Sequence, residues 1–251
     1  MKALILAAGR GSRMLGDTEE KPKCFIRLHG RRLLDWQVHA LCEGGVADIG
    51  LVRGYLGKMF DLPLRYFDNH DWARTNMVRT LLVADEWLEG GTSIVSYSDI
   101  VYTPATVRRL VESRAEIALA YDPDWLNLWS QRFFDPLGDA ETFRLDASGR
   151  LLTIGERALT SEEIQGQYMG LLKFSSAGWS RVRELLGSFS SERLDRLDMT
   201  TLLRAGLESG WEIEAVPVFG RWGEIDQPSD VELYTRLLDP EELLGRSGCS
   251  E

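Results

Sequence analysis

Histidine and cysteine are scarce in this sequence, with three of each in 251 residues. Cys24, Cys42 and Cys249 are an odd set without metal-ligand spacing, which reads as scattered reduced thiols, not a disulfide framework. His29, His39 and His70 stand far apart, so nothing in their spacing suggests a zinc site. No apolar run approaches the roughly 20 residues of a membrane span. The short run after Lys2 is interrupted by glycine and arginine, unlike a signal peptide. These absences predict a cytoplasmic protein with no membrane partner.

Basic residues are outnumbered, with 29 lysines and arginines against 39 acids and a net charge of −10. A nucleic-acid partner is therefore not expected. The charge is unevenly spread. Between Arg10 and Arg32, seven basic side chains (Arg10, Arg13, Lys21, Lys23, Arg27, Arg31, Arg32) stand against Asp17, Glu19 and Glu20. A positive island on an acidic chain points to a small polyanionic ligand, although a solvated loop has the same charge pattern.

Short apolar runs alternate with helical patterns. The run Ala3 to Ala8 is apolar on both faces, as in a buried strand. Leu33, Trp36, Gln37, Ala40 and Leu41 recur at helical spacing, with Gly44 and Gly45 as a stop. Further strands are predicted near Ile49 and Tyr66, up to Asp99, up to Asp122, from Tyr168 to Phe174 and from Trp211 to Val218. Helices are predicted over 75–88, 104–113, 178–186 and 199–209, with a last one from Pro228. This alternation predicts an α/β fold with a mainly parallel sheet. Residues 122–166 are less regular, with a hairpin around Asp146 to Arg150, and read as an insertion. No repeat or linker is visible, so a single domain over 1–239 is expected, followed by a polar, frayed tail at 240–251.

The stretch LILAAGRGSRMLGDTEEKPK is the chemical feature of the chain. Gly9, Gly11 and Gly16 do not make the G-x-G-x-x-G of a dinucleotide site, and the second strand ends at Val52 and Arg53 without an acid. A P-loop also fails, because no G-K-[ST] follows. The chemistry still suits phosphates. Gly9 and Gly11 let backbone N–H groups approach a ligand. Arg13 and Lys23 can neutralise a triphosphate, one as a fork and one as a point charge. The small side chains of Ala7 and Ala8, after Leu6, leave room for a base or ribose.

The core LILAAGRGSRM followed by KPK resembles the signature of the nucleotidyltransferases that join an NTP to a phosphorylated acceptor. Further stretches, Thr75 to Ala84, Ser96 to Tyr102, Asp135 to Phe143, Gly166 to Phe174 and Trp222 to Asp230, resemble the CTP-using branch. That branch includes phosphocholine and phosphonate cytidylyltransferases. The resemblance implies a Rossmann-like sheet with helices on both faces and an inserted acceptor-binding region. It implies CTP bound around Leu6, Ala7, Ala8, Gly9, Gly11, Ser12, Arg13, Lys23, Asn76, Ser96 and Tyr97, with Arg13 and Lys23 catalytic. It also implies Mg²⁺ held by Asp99 and Asp226, with Glu224 as a third ligand or an outer partner. An acceptor oxygen that is already anionic needs no general base, so positioning and charge neutralisation suffice.

For the acceptor, Trp125 and Trp129 are four apart and can cage a quaternary ammonium if they share a helix face; a core role is the plainer alternative. Arg132 can pair with an anionic group or form a surface salt bridge, Asp139 and Glu141 can bind a primary ammonium or belong to a solvated loop, and Lys173 is a charge in an otherwise apolar strand. Ser96 to Tyr102, Asp139 to Phe143 and Gly166 to Phe174 resemble the phosphonate enzymes more than the choline ones, and that resemblance implies 2-aminoethylphosphonate or 2-hydroxyethylphosphonate as the acceptor. Phosphocholine and sugar 1-phosphates remain alternatives. A catalytically silent nucleotide-binding regulator is the non-enzyme reading, and a metal-dependent glycosyltransferase a further one. A homodimer is allowed but not indicated.

Overall fold

A computed structural model describes residues 1–219 and 221–246, with the backbone alone at Ser12, Leu15 and Asp17. Seven strands form the central sheet: β1 (Lys2–Ala7), β2 (Asp48–Arg53), β3 (Arg65–Asp68), β4 (Ser93–Tyr97), β5 (Ile117–Asp122), β6 (Gln167–Phe174) and β7 (Ile213–Pro217). Their order is β7-β5-β6-β4-β1-β2-β3. All pairings are parallel except those of β6, which runs antiparallel to β4 and β5. Strands buried on both faces read as continuous apolar runs, and β1 is buried from Ala3 to Ala7.

Between Tyr168 and Leu172 the register of β6 against β5 shifts, and Gly170 adopts φ +75° within that irregularity. A Cβ there would stand 2.7 Å from the Tyr97 ring. Only glycine combines this backbone with so close an approach.

The predicted helix over 75–88 is two pieces, Met77–Leu82 and Asp85–Glu89. The break leaves the Asp85 carboxylate to accept from Trp179 Nε1 at 3.0 Å. Inside the 122–166 region lie a helix, Trp125–Arg132, and the predicted hairpin, Glu141–Leu145 with Leu151–Arg157. The tail is not uniformly frayed. Residues 240–243 form a helical turn whose Leu243 is fully buried, while Cys249 lies outside the described residues.

A large apolar core fills the sheet and its helices, and a second, smaller one matters more to function. It gathers Met14, Leu28, Leu33, Trp36, Val101, Ile225, Tyr234 and Leu243. Met14 belongs to the glycine loop, Val101 follows Asp99, and Ile225 separates Glu224 from Asp226. Each buried side chain of this kind contributes roughly 1.5–3 kcal/mol. The segments that carry the candidate charges are thus tied together from beneath.

Candidate active site

The chain leaves β1 at its carboxyl end and turns through Gly11 at φ +68° into a 3₁₀ turn, Ser12–Thr18. A Cβ on Gly11 would lie 2.7 Å from the Lys23 side chain, so this glycine lets Lys23 pass beneath the loop. Asp99 lies just past the end of β4. Two short strands, Ile100–Val101 and Gly223–Glu224, pair antiparallel and bring the late loop beside it. The N–H of Ile225 donates to the carbonyl of Asp99 at 2.9 Å. Two segments over a hundred residues apart are thereby joined, with Asp99, Glu224 and Asp226 around one point.

Each of these three carboxylates has an oxygen within 4.8 Å of the others, a cluster able to hold a metal ion. Lys23 Nζ stands among them, donating at 2.7 Å to both Asp99 Oδ2 and Asp226 Oδ1. Arg13 Nη2 reaches Asp226 Oδ1 at 2.9 Å from a side chain that is otherwise largely exposed. Asp99 Oδ1 is buried with no hydrogen-bond partner among the described residues. A buried, unpaired carboxylate oxygen beside two more carboxylates fits a hard divalent cation, which prefers oxygen ligands.

The local charges follow. Burial works against the Lys23 ammonium, but Asp99 and Asp226 outweigh it and raise its pKa. Burial also works against the Asp226 carboxylate, and Lys23, Arg13 and Arg132 overcome it, leaving its pKa low. Glu224 goes the other way. Burial first, then Asp226 and Asp99, push it up to about 8 despite Arg132 and Lys23.

A cleft of about 290 Å³ opens in front of this cluster. Leu6, Ala8, Gly9, Gly11, Arg13, Lys23, Asn76, Tyr97 and Asp99 line it, together with Trp72, Thr75, Met77, Thr80 and Ser98, which no motif in the sequence singles out. Asn76 both lines the cleft and caps the helix Met77–Leu82, its side-chain Oδ1 accepting from Met77 N at 2.8 Å. Gln37 was also missed. It is fully buried, and its Nε2 donates to the carbonyls of Tyr97 (3.0 Å) and Ile100 (2.6 Å), fixing the turn that carries Asp99. A lone amide on an apolar helical face was the signal available for it.

Several expected residues are placed elsewhere. Ala7 is buried on the face of β1 turned away from the cleft. Ser96 is fully buried, and its hydroxyl donates to the Tyr97 carbonyl and accepts from Tyr102. The side chain of Ser12 is outside the described atoms. Trp125 and Trp129 form no cage. Trp125 donates to the Ile164 carbonyl, and Trp129, fully buried, stacks on Trp222 at 5.9 Å. Arg132 has no exposed guanidinium to offer an acceptor, because Asp230 and Glu224 enclose it. Lys173 lies at the opposite end of the sheet, where its ammonium donates to the Ser113 and Ala115 carbonyls. It pairs with Ile94 near the start of β4, because β6 runs backwards relative to its neighbours.

Glu141 does not line the cleft; its nearest link to it runs through Tyr168. Tyr97 meets Tyr168 edge-to-face at 5.8 Å, and the Tyr168 hydroxyl is buried. Glu141 is near enough to help raise the pKa of Tyr168. Burial, then Asp198, raises the Glu141 carboxyl itself, while Thr200 and Arg204 act against that rise.

A mainly parallel sheet, a glycine-arginine loop at the end of its first strand and a carboxylate cluster beside a buried lysine define a nucleotide-dependent transferase. Residues 3–187 match the family model for the MobA-like NTP transferase domain, and the chain belongs to that family as a nucleotidyltransferase. It is 35% identical to CTP:phosphoglutamine cytidylyltransferase of Campylobacter jejuni, with 93% of this chain and 98% of that one covered. It is 29% identical to 2-aminoethylphosphonate cytidylyltransferase of Lancefieldella rimae, over 61% of this chain and 60% of that one. The solved CTP:phosphocholine cytidylyltransferase of Streptococcus pneumoniae shares the fold, with a TM-score of 0.71 at 20% identity, 95% of this chain and 99% of that one being covered. No helix among the described residues is long and apolar enough to cross a membrane.

Proposed function

We propose that this chain transfers CMP from CTP to a small phosphonate or phosphoryl acceptor carrying a primary ammonium, with Mg²⁺ held by Asp99, Asp226 and Glu224. The observation that carries the reading is the Lys23 ammonium between Asp99 and Asp226 at the floor of a cleft rimmed by Gly9, Gly11 and Arg13. Cytidylyl transfer to a phosphorylated acceptor is supported by the relative aligned over nearly the whole chain. 2-Aminoethylphosphonate, one of the two phosphonates expected from the sequence, shares with phosphoglutamine an anionic phosphorus group and a primary ammonium.

An oxygen of the acceptor's phosphorus group attacks the α-phosphorus of CTP. The new P–O bond forms as the bond from the α-phosphorus to the bridging β-oxygen breaks, and pyrophosphate leaves with that electron pair. The attacking oxygen is already anionic near neutral pH, so no side chain has to remove a proton. When bound, the divalent ion supplies neutralisation of phosphate charge. Gly9 and Gly11 let the backbone approach the triphosphate, and Arg13 and Lys23 supply positive charge that grows in value as charge moves to the leaving group. An ammonium has three donors, of which two serve Asp99 and Asp226, leaving one for a phosphate oxygen. A carboxylate such as Glu141 suits an ammonium that donates hydrogen bonds. Trimethylammonium, which donates none, requires exposed aromatic faces, and Trp125 and Trp129 offer none.

The test is pyrophosphate release with each of the four NTPs against 2-aminoethylphosphonate, 2-hydroxyethylphosphonate, phosphoglutamine and phosphocholine. Release with CTP and an ammonium-bearing acceptor is expected. A preference for 2-hydroxyethylphosphonate or phosphocholine of about tenfold, roughly 1.4 kcal/mol, contradicts the acceptor assignment. CTP binding without turnover on any acceptor favours the silent regulator.

A further inference from the structure

Behind the carboxylates lies a cation that the cleft does not expose. Arg132 ends the helix Trp125–Arg132, and its side chain has no solvent-accessible surface. Asp230, in the helix Pro228–Leu237, holds it as a fork, with Nε to Oδ1 at 3.2 Å and Nη2 to Oδ2 at 3.1 Å. The remaining edge of the guanidinium faces the cluster. Nη1 donates to Glu224 Oε2 at 3.4 Å, and Nη2 stands 3.8 Å from Asp226 Oδ2. Asp230 Oδ2 also accepts the backbone N–H groups of Asp226 (2.8 Å) and Gln227 (3.0 Å). One buried pair therefore grips the late loop by its backbone and by both of its carboxylates.

We infer that Arg132, oriented by Asp230, is a positioning residue that fixes Glu224 and Asp226 at the spacing a divalent cation needs. This rests on the reading that the three carboxylates hold the cation. Carboxylates crowded within 4.8 Å repel one another and move apart unless a fixed positive charge holds them. Lys23 supplies charge from the cleft side, where phosphates compete for it. Arg132 supplies it from the enclosed side, with the rings of Trp129 and Phe133 4.7 and 4.9 Å from its Cζ. For stability alone, a well-packed apolar pair often does as well as a buried ion pair. The donors turned toward Glu224 and Asp226 are what that purely structural role leaves unexplained. A lysine carries charge but no planar fork, so it cannot hold Asp230 two-fold and reach Glu224 at once.

The test is direct titration of the whole protein with Mn²⁺, free ion being followed by electron paramagnetic resonance, without CTP or acceptor. Arg132→Lys is expected to weaken Mn²⁺ binding tenfold or more, while metal-free CTP affinity moves less than twofold. Asp230→Asn, which keeps Arg132 but loses the charged fork, is expected to weaken it in the same direction. Combined with Asp226→Asn, either change should have a smaller further effect, because the residues act through one another. Wild-type Mn²⁺ affinity in whichever of the two variants folds, with only thermal stability lowered, overturns the inference. A wild-type protein that makes product but shows no Mn²⁺ binding also overturns it, and leaves the transfer reading standing.

Discussion

The Nζ atom of Lys23 stands 2.7 Å from Oδ1 of Asp226, a residue 203 positions further along the chain. The same ammonium is 2.7 Å from Oδ2 of Asp99. The two carboxylates would otherwise face each other across a desolvated gap. The lysine relieves that repulsion and at the same time lines the cleft. It is held so by Gly11 above it and by the Ile225-to-Asp99 backbone bond beside it.

Lys23→Ala is expected to lower kcat/KM by about 10²-fold or more, the usual scale for a lost transition-state electrostatic contact. Lys23→Arg should recover only part, since a planar fork does not replace a compact charge. Initial rates of pyrophosphate release measure both. Wild-type kinetics in Lys23→Ala would remove the lysine from the phosphate site.

Asp99→Asn should reduce turnover by about 10²-fold or more while CTP still binds without metal, because the glycine loop is untouched. Calorimetric titration with CTP in a chelating buffer, beside turnover at saturating Mg²⁺, separates the two effects. Near-normal kcat would exclude Asp99 from the metal cluster.

Gly11→Ala places a Cβ in the left-handed region, at a cost of roughly 1–2 kcal/mol, and 2.7 Å from the Lys23 side chain. It should lower kcat/KM by about tenfold or more. Gly16→Ala meets nothing within 4 Å and has an ordinary backbone, so its effect should be clearly smaller. Equal kinetics in the two variants would mean that the passage of Lys23 beneath Gly11 does not matter.

Trp129→Ala removes a fully buried ring stacked on Trp222. The expected result is a loss of about 3–5 kcal/mol in unfolding free energy, read from urea titration. The ratio of kcat/KM between 2-aminoethylphosphonate and phosphocholine should not change. A selective loss of phosphocholine turnover would restore the aromatic cage.

Much of the sheet and the front of the site was legible because it is local. The run Ala3 to Ala8 and the glycine loop are contiguous, and Gly11, Arg13 and Lys23 reach the cleft from one segment. Asp99 and Asp226 both follow predicted strands, but only resemblance gives them a shared metal, since the ladder that joins them pairs Gly223 with Val101 across more than a hundred residues. The misplaced residues have physical causes as well. Lys173 was thrown to the far end by the reversal of β6, which no local pattern in Tyr168 to Phe174 encodes. Trp125 and Trp129 have the same spacing in a core helix as in a cage. The charge of Arg132 was visible, but the Asp230 that claims it lies 98 residues away.

CMP transfer is read most plainly from the product itself. The protein is incubated with CTP, Mg²⁺ and 2-aminoethylphosphonate or phosphoglutamine, and phosphorus nuclear magnetic resonance and mass spectrometry follow the outcome. The expected result is a new P–O–P linkage joining CMP to the acceptor, formed one for one with pyrophosphate and lost in Asp99→Asn. CTP consumed to CMP or CDP with the acceptor unchanged, or no consumption with any phosphorylated acceptor, would contradict it.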